Sequence, residues 1–599
     1  MTRTGHDTSA ETFRTADSCD VIVLGSGAAG LTAALTAGWQ GLRVMVLESQ
    51  AVIGGTSARS SGTIWVPDSS LLLAKGVPGD CGAAETYLAH LVDTAGAAAP
   101  WRRFLEAAPH MLDEVMTRTD LRFSPLMAAA DYRQDLPGAA SGGRALEPLP
   151  FDGRKLGEDF TRLAPPLKDL MVFGGMMVTR AEAARLLRFD RSLASLKLAL
   201  SLTLRFLLDR LRHARGTRLV LGNALIAALM DACRRCDISI VTGVQVTSLT
   251  HDDKGISGVR LIHQGRTLTL TARRGVVLAG GGFPASPHKR REHLPHPTPP
   301  ATPAAPGCVG STLDLALEAG ATLGPDLGDN GLWFPSSLRK CPDGETIVYP
   351  HIALDRSKPG LIAVNGRGKR FANEAISYHE FVRAMYADRA RGHEAVPAWL
   401  IVDHRFLKRY GLGAVRPRAL SLKAPLASGY LLRDDTLAGL ARTIDVPPAA
   451  LQETIDWYNR FAANGTDPEF HKGETAYDRG NGDPSHRPNP CVAPIVHAPF
   501  YAMAVWPTPL GTSRGLLTDA HSRVLDGAGQ AIGNLYACGN DVQSAFAGHY
   551  PGAGAQLAQA MTFGWLAGRH AAGQPFPTFE TASPDARSPH SETSVKART

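Results

Sequence analysis

Asp20-Val21-Ile22-Val23-Leu24-Gly25-Ser26-Gly27-Ala28-Ala29-Gly30 is an aliphatic run that passes directly into G-x-G-x-x-G. A short β-branched run bounded by glycine reads as a buried parallel strand. Leu31 to Gly38 is helix-forming, and Arg43 to Leu47 is a second aliphatic run that ends on Glu48. Each part of such a unit has a physical task. Gly25 allows the tight turn, Gly27 lets main chain reach a pyrophosphate, and Gly30 lets helix and strand pack closely, while the helix N-terminus offers positive potential to phosphates. Glu48 stands at the spacing of an acceptor for a ribose hydroxyl. A lone glycine triplet says little. Strand, helix, second strand and terminal acid in register predict a dinucleotide-binding unit, without separating a flavin from a nicotinamide.

Outward from this unit, Ser239–Val241 and Val276–Ala279 are further short aliphatic runs, and the alternation with helices predicts an α/β fold. The 599 residues allow two or more domains, and 44% hydrophobic with 20% charged residues fits a globular enzyme. The net charge of +7 comes from scattered basic residues without a nucleic-acid motif, so nucleic-acid binding is excluded as a function class. Cys233 and Cys236, the one close pair among eight cysteines, read as a helix end before a strand, and no metal is expected. Met1 to Asp20 lacks the apolar core of a signal peptide, and no uncharged run is long enough to span a bilayer; the expectation is a cytoplasmic protein. Two polar tails, 1–17 and 576–599, are too poor in apolar residues to repay ordering. Pro284 to Gly307 is proline-dense and reads as an irregular connector. Arg191 to Arg212 has helical length, leucines around much of its circumference and cations toward its end. Two readings stay open for it: a helix in a membrane interface, or a core or subunit-contact helix.

Three further segments carry a family resemblance: Gly54-Gly55-Thr56-Ser57-Ala58-Arg59-Ser60-Ser61-Gly62, Ala279-Gly280-Gly281-Gly282-Phe283, and Leu535-Tyr536-Ala537-Cys538-Gly539-Asn540. With the opening motif they resemble the fumarate reductase and 3-ketosteroid dehydrogenase flavoproteins, from Cys19 to Gly573. The resemblance implies FAD on a Rossmann-type domain built from both chain ends, with a smaller α+β catalytic cap inserted. It implies FAD contacts at Gly25, Gly27, Ala28, Ala29, Gly30, Glu48, Ser49, Gly55, Thr56, Ser57, Ser61, Gly62, Val246, Ala279, Gly280, Gly281, Gly539, Asn540, Gly554 and Leu557. Relatives with covalent flavin use a histidine shortly after the double glycine; Ser57, Ala58 and Arg59 stand in that stretch, which implies noncovalent FAD.

His549-Tyr550-Pro551-Gly552-Ala553-Gly554 resembles the C-terminal signature of the 3-ketosteroid 1-dehydrogenases, which implies that Tyr550 and the Gly554 amide grip a 3-keto oxygen. Two donors on one carbonyl stabilise the enolate that develops as the neighbouring carbon loses a proton. Ala375-Ile376-Ser377-Tyr378-His379 places Tyr378 at the family's base, and Ala130-Asp131-Tyr132 places Tyr132 at its assisting tyrosine. A free phenol has a pKa near 10, so Tyr378 needs a cationic or hydrogen-bonding neighbour. The implied reaction is 1,2-desaturation of a 3-ketosteroid, with a quinone or other acceptor reoxidising the flavin; on the interface reading of Arg191 to Arg212, a membrane surface at the inner face of the cell membrane is a further partner. The rivals are a 3-ketosteroid 4-dehydrogenase, a fumarate-reductase-like enzyme using cations such as Arg367, Arg370, Arg383 and His351, and a flavin-bearing redox partner without turnover. The expected division is a flavin domain at 18–338, with the insert at about 173–212, a cap at 339–507 and the flavin return at 508–575.

Overall fold

The aliphatic run forms the strand Ser18–Leu24, paired in parallel with Val44–Glu48 on one side and Arg266–Leu278 on the other. The computed structural model describes residues 18–77, 79–92, 99–167, 171, 175–179, 182, 185–186, 193–341, 344–352, 355–574 and 576. The expected tails, apart from Phe576, and Phe173, Gly174, Arg191 and Ser192 of the insert lie outside the described residues.

The main sheet runs Arg523–Leu525, Ala531–Ala537, Arg266–Leu278, Ser18–Leu24, Val44–Glu48, Ser239–Thr242, with an antiparallel pair, Gly255–His263 and Gln245–Asp252, branching from Arg266–Leu278. Strands from both ends of the chain therefore meet in one sheet. Val21, Ile22 and Val23 are fully buried, which is why this stretch reads as a continuous aliphatic run. Two helices, Ala28–Gly38 and Ala555–Ala571, cross against each other at the sheet. Their contact is tight because a Cβ at Gly564 would lie 2.4 Å from the Ala29 carbonyl oxygen.

A second sheet orders Thr346–Pro350, Gly331–Lys340, Phe500–Thr512, Ala398–Asp403 and Leu361–Val364, with Leu432–Asp434 on Phe500–Thr512. The expected boundaries at 338/339 and 507/508 fall inside two paired strands, Gly331–Lys340 and Phe500–Thr512. These strands carry Phe334 and Leu510 to the wall of the main cavity. The proline-dense connector is less irregular than its composition predicts: Pro287–His293 is helical, with Ser286 capping through its side chain and Pro287 at the first turn. Proline is tolerated there because the first-turn N–H groups have no helical partner. Cys233 is buried in the helix Leu221–Arg235 and Cys236 follows at its end.

The leucine-rich stretch forms the helix Leu193–Arg210. Its inner side buries Leu202 and Phe206 against Met176, while Leu193, Leu200, Leu204, Leu207, Leu208 and the following Leu211 are exposed. With Leu196, also exposed, Leu193, Leu200, Leu204, Leu207 and Leu211 recur at three- and four-residue steps and, with Leu208 beside them, form one outward apolar stripe. Among the described residues no helix is long and apolar enough to cross a membrane.

Candidate active site

A cavity of about 740 Å³ runs from the glycine-rich turn to the second sheet, a size ordinary for cofactor and ligand sites. Its walls include every expected cofactor residue except two: Gly25, Gly27, Ala28, Ala29, Glu48, Ser49, Gly55, Thr56, Ser57, Ser61, Val246, Ala279, Gly280, Gly281, Gly539, Asn540, Gly554 and Leu557 all line it. Gly30 and Gly62 stand behind the wall. A Cβ on Gly30 would lie 2.0 Å from the Gly25 carbonyl oxygen, and Gly62 packs against the main chain of Leu221. Both act on the cavity through packing.

The nucleotide end is organised around Glu48, which accepts from the Ser26 amide at 3.0 Å, the Ser26 hydroxyl at 2.5 Å and the Gln50 amide at 2.9 Å. Ser57 Oγ accepts from the Ala28 amide at 3.1 Å, joining the second glycine turn to the start of the first helix. Asp541, which the sequence reading missed, accepts from the amides of Gly280 at 2.6 Å and Gly282 at 2.8 Å and so ties the triple glycine to the C-terminal return. The one signal for it was its place directly after Asn540.

A dinucleotide fits this lining. Gln556, also missed, is buried on the cavity wall in the first turn of the helix Ala555–Ala571, and both its side-chain Nε2 and Oε1 lack a protein partner. Buried amides of this kind are normally satisfied, and a flavin ring offers both donors and acceptors. The N-terminus of the same helix and that of Ala28–Gly38 both border the cavity, and their free amides favour anionic groups.

At the other end three phenols converge. The Tyr132 hydroxyl donates to the Tyr378 hydroxyl at 2.9 Å, and Tyr378 shares a further hydrogen bond with Tyr550. Ring centroids lie 5.4 Å apart for Tyr132 and Tyr378, 5.5 Å for Tyr378 and Tyr550, and 5.4 Å for Tyr132 and Tyr550. Phe334 packs edge-on to Tyr378 at 4.7 Å, and Tyr477 on Tyr132 at 5.2 Å. Local structure fixes each phenol. Ser377 caps the helix Tyr378–Ala390 by accepting from the Glu380 amide, so Tyr378 occupies its first position. The Tyr132 amide and the Tyr87 hydroxyl both donate to the Pro551 carbonyl, at 2.9 and 2.8 Å, which docks the Tyr132 loop on the residue after Tyr550. Asp131 anchors that loop through Trp65 Nε1 at 2.8 Å and Arg144 at 2.5 Å.

Gly554 caps the helix Ala555–Ala571 with φ of +91°. A Cβ there would also meet the Thr63 carbonyl oxygen at 2.3 Å, so conformation and space both demand glycine. Burial, then the neighbouring phenols, push Tyr378 well above its ordinary pKa, and burial pushes Tyr550 up to about 12. At neutral pH both are hydrogen-bond donors. The cations considered for a dicarboxylate clamp are elsewhere. Arg370 is locked on Glu374 and Asp467, Arg367 donates to the Gly392 carbonyl, Arg383 pairs with Asp329 and His549, and His351 is buried between Asp355 and Ser337. Among the described residues lining the cavity, Arg59 is the one lysine or arginine.

The sequence matches the family described as FAD binding domain over residues 20–557. It is 36% identical over 575 residues to a 3-oxosteroid 1-dehydrogenase of Mycobacterium tuberculosis, covering 94% of this chain and 99% of that one. It is 34% identical over 556 residues to a 4-oxocyclohex-2-ene-1-carboxylate 5-dehydrogenase of Sinomonas cyclohexanicum, covering 92% and 94%. The crystal structure of a 3-ketosteroid delta1-dehydrogenase from Sterolibacterium denitrificans, in complex with 1,4-androstadiene-3,17-dione, superposes with a TM-score of 0.86 at 38% identity, covering 93% of this chain and all of that one. FAD is the cofactor and the chain is an oxidoreductase. It belongs to the 3-oxosteroid 1-dehydrogenase family of the FAD-binding flavoproteins.

Proposed function

We propose that this enzyme desaturates the 1,2 bond of 3-ketosteroids, with the phenols of Tyr132, Tyr378 and Tyr550 and the Gly554 amide as its machinery. The observation that carries the reading is the hydrogen-bonded triplet of tyrosines at the end of the FAD cavity. FAD, bound noncovalently, supplies a two-electron acceptor for the hydride. Tyr550 exchanges its bond to Tyr378 for one to the ketone oxygen, and the Gly554 N–H donates to the same oxygen as enolate charge grows. In its phenolate form, held by a hydrogen bond from the Tyr132 hydroxyl, Tyr378 takes the proton from carbon 2 and becomes a neutral phenol. The body around the second sheet acts as the cap over the steroid, contributing Phe334, Tyr349, Pro350 and Ile352 to the cavity.

Charge separates this reading from its rivals. A fumarate-type site needs cations for two carboxylates, and a 4-oxocyclohexanecarboxylate needs one opposite its ketone; the cations that the sequence offered are committed to other partners, and Arg59, on the helix after the second glycine turn at the nucleotide end, donates to the Ala304 carbonyl. A neutral steroid needs apolar walls instead. We assign the acceptor role to a quinone or a similar carrier, and read the outward stripe of Leu193–Arg210 as a dock on the inner membrane face. Leu167, Val178 and Thr179, from the segment leading into that helix, line the cavity, so docking would place its mouth near lipid, where sterols partition.

Anaerobic rapid mixing tests the reading. Bleaching of bound flavin near 450 nm by 4-androstene-3,17-dione, with 1,4-androstadiene-3,17-dione as product, is expected. Bleaching by 4-oxocyclohexanecarboxylate alone, or a product desaturated elsewhere, overturns it.

A further inference from the structure

Two segments that shape the reaction end of the cavity are joined through one buried side chain. Arg356 is 1% exposed, and its guanidinium spends its donors on main-chain carbonyls. Nε donates to His351 O at 2.8 Å, Nη1 to Glu374 O at 2.7 Å and Ile376 O at 3.3 Å, and Nη2 to Ile352 O at 3.3 Å and Ile376 O at 3.2 Å. His351 and Ile352 follow the strand Thr346–Pro350, where Tyr349, Pro350 and Ile352 face the cavity. Glu374 and Ile376 lead directly into Ser377 and Tyr378. Ser357 Oγ donates to the carbonyl between them, Ala375 O, at 3.4 Å. The guanidinium also lies 4.9 Å from the centroid of the Phe381 ring, one turn along the helix that Tyr378 begins.

We propose that Arg356 is a positioning residue for the reaction: by gripping the carbonyls of Glu374 and Ile376 together with those of His351 and Ile352, it sets where the Tyr378 phenol stands against the Tyr349–Ile352 wall. The inference rests on Tyr378 being the base. Planarity is what the site uses, since a rigid fork reaches four carbonyls in fixed directions and the compact ammonium of lysine does not. An error of about 1 Å in placing a reacting group costs on the order of 100-fold in rate. Arg356 touches neither reacting atoms nor cofactor in this scheme, so its loss acts on the chemical step and not on FAD.

The test compares wild type and Arg356→Lys in the FAD-loaded form, by anaerobic flavin reduction with 4-androstene-3,17-dione and its 2-deuterated analogue. Expected for the variant are unchanged flavin content and steroid affinity, a saturating reduction rate per bound flavin lower by about 100-fold, and a larger deuterium effect as proton abstraction becomes limiting. Should Arg356→Lys not fold, Phe381→Leu keeps the guanidinium and its carbonyls but removes the ring beside it; the same pattern at a smaller fold-change is expected. Variant and wild type reducing at equal rates per flavin, with losses confined to folded or FAD-loaded protein, overturns the inference and leaves the base assignment standing. Wild-type flavin that no 3-ketosteroid reduces, or Tyr378→Phe reducing at the wild-type rate, overturns both.

Discussion

Tyr378 reaches its hydrogen-bonding partners as a neutral phenol, because burial and the adjacent phenols hold it well above its ordinary pKa. The sign of the pH dependence follows. The phenolate fraction rises tenfold per pH unit below that pKa, so kcat/KM for a 3-ketosteroid should climb with a slope near +1 through the neutral and mildly alkaline range. A flat profile between neutral pH and mild alkalinity would contradict this. Tyr378→Phe is expected to lower flavin reduction by about 100- to 10,000-fold without loss of bound FAD, read by stopped-flow absorbance. Gly554→Ala should fail differently: with φ of +91° and the Thr63 carbonyl in the way, it displaces the amide, and thermal stability and flavin content fall along with rate. At this scale the sequence was informative where chemistry dictates residue type. The glycine motif was named from the physical task of each of its residues and the three tyrosines from the family resemblance of their segments, and they meet at one cavity. Gln556 and Asp541 escaped because their importance comes from what lies opposite them across the fold, and a local motif carries no such information.

Among the elements, the stretch Arg370 to Glu374 shows how the body around the second sheet is held. Arg370 makes paired bonds to Glu374 at 2.9 and 3.0 Å and to Asp467 at 2.7 and 2.8 Å, and Lys472 Nζ stands 3.1 Å from Glu374. Burial alone would raise the Glu374 pKa, but Arg370 and Lys472 outweigh it and hold the carboxyl near about 2. A depressed carboxylate contributes stability above its unfolded value of about 4.3, and that contribution is lost as pH falls toward the folded value. Acid unfolding of wild type should therefore deepen below about pH 4. Glu374→Gln, which leaves two buried cations short of a partner, should cost roughly 3–5 kcal/mol at neutral pH, measured by denaturant titration; a cost below about 1 kcal/mol would contradict the cage. The proline-dense connector yields the same lesson from the other direction. Composition read it as irregular, yet Ser286 and Pro287 are a cap and first-turn pair, and a helix follows.

For the whole molecule, the first sheet was legible and the second was not. Ser18–Leu24 and Val44–Glu48 pair locally across the glycine motif, and their distant partners Arg266–Leu278 and Ser239–Thr242 were marked by short aliphatic runs, whereas Gly331–Lys340 and Phe500–Thr512, which find each other across more than a hundred residues, carried no such mark. The leucine-rich insert was ambiguous in sequence because a stripe of leucines suits a core as well as a lipid surface. Exposure of Leu200, Leu204 and Leu208 gives the lipid reading its weight. Replacing these three by glutamate should abolish sedimentation with anionic liposomes while turnover of dissolved steroid stays within about threefold, since the helix lies outside the tyrosine cluster; persistent sedimentation would take this helix out of the membrane role. The proposed mechanism turns on one oxygen atom. A crystal structure of the FAD-loaded enzyme with 1,4-androstadiene-3,17-dione tests it most directly: the account predicts the 3-keto oxygen about 3 Å from both the Tyr550 hydroxyl and the Gly554 nitrogen, with Tyr378 beside carbon 2. A ketone bound at the far end of the cavity, with the three phenols still bonded only to one another, would contradict it.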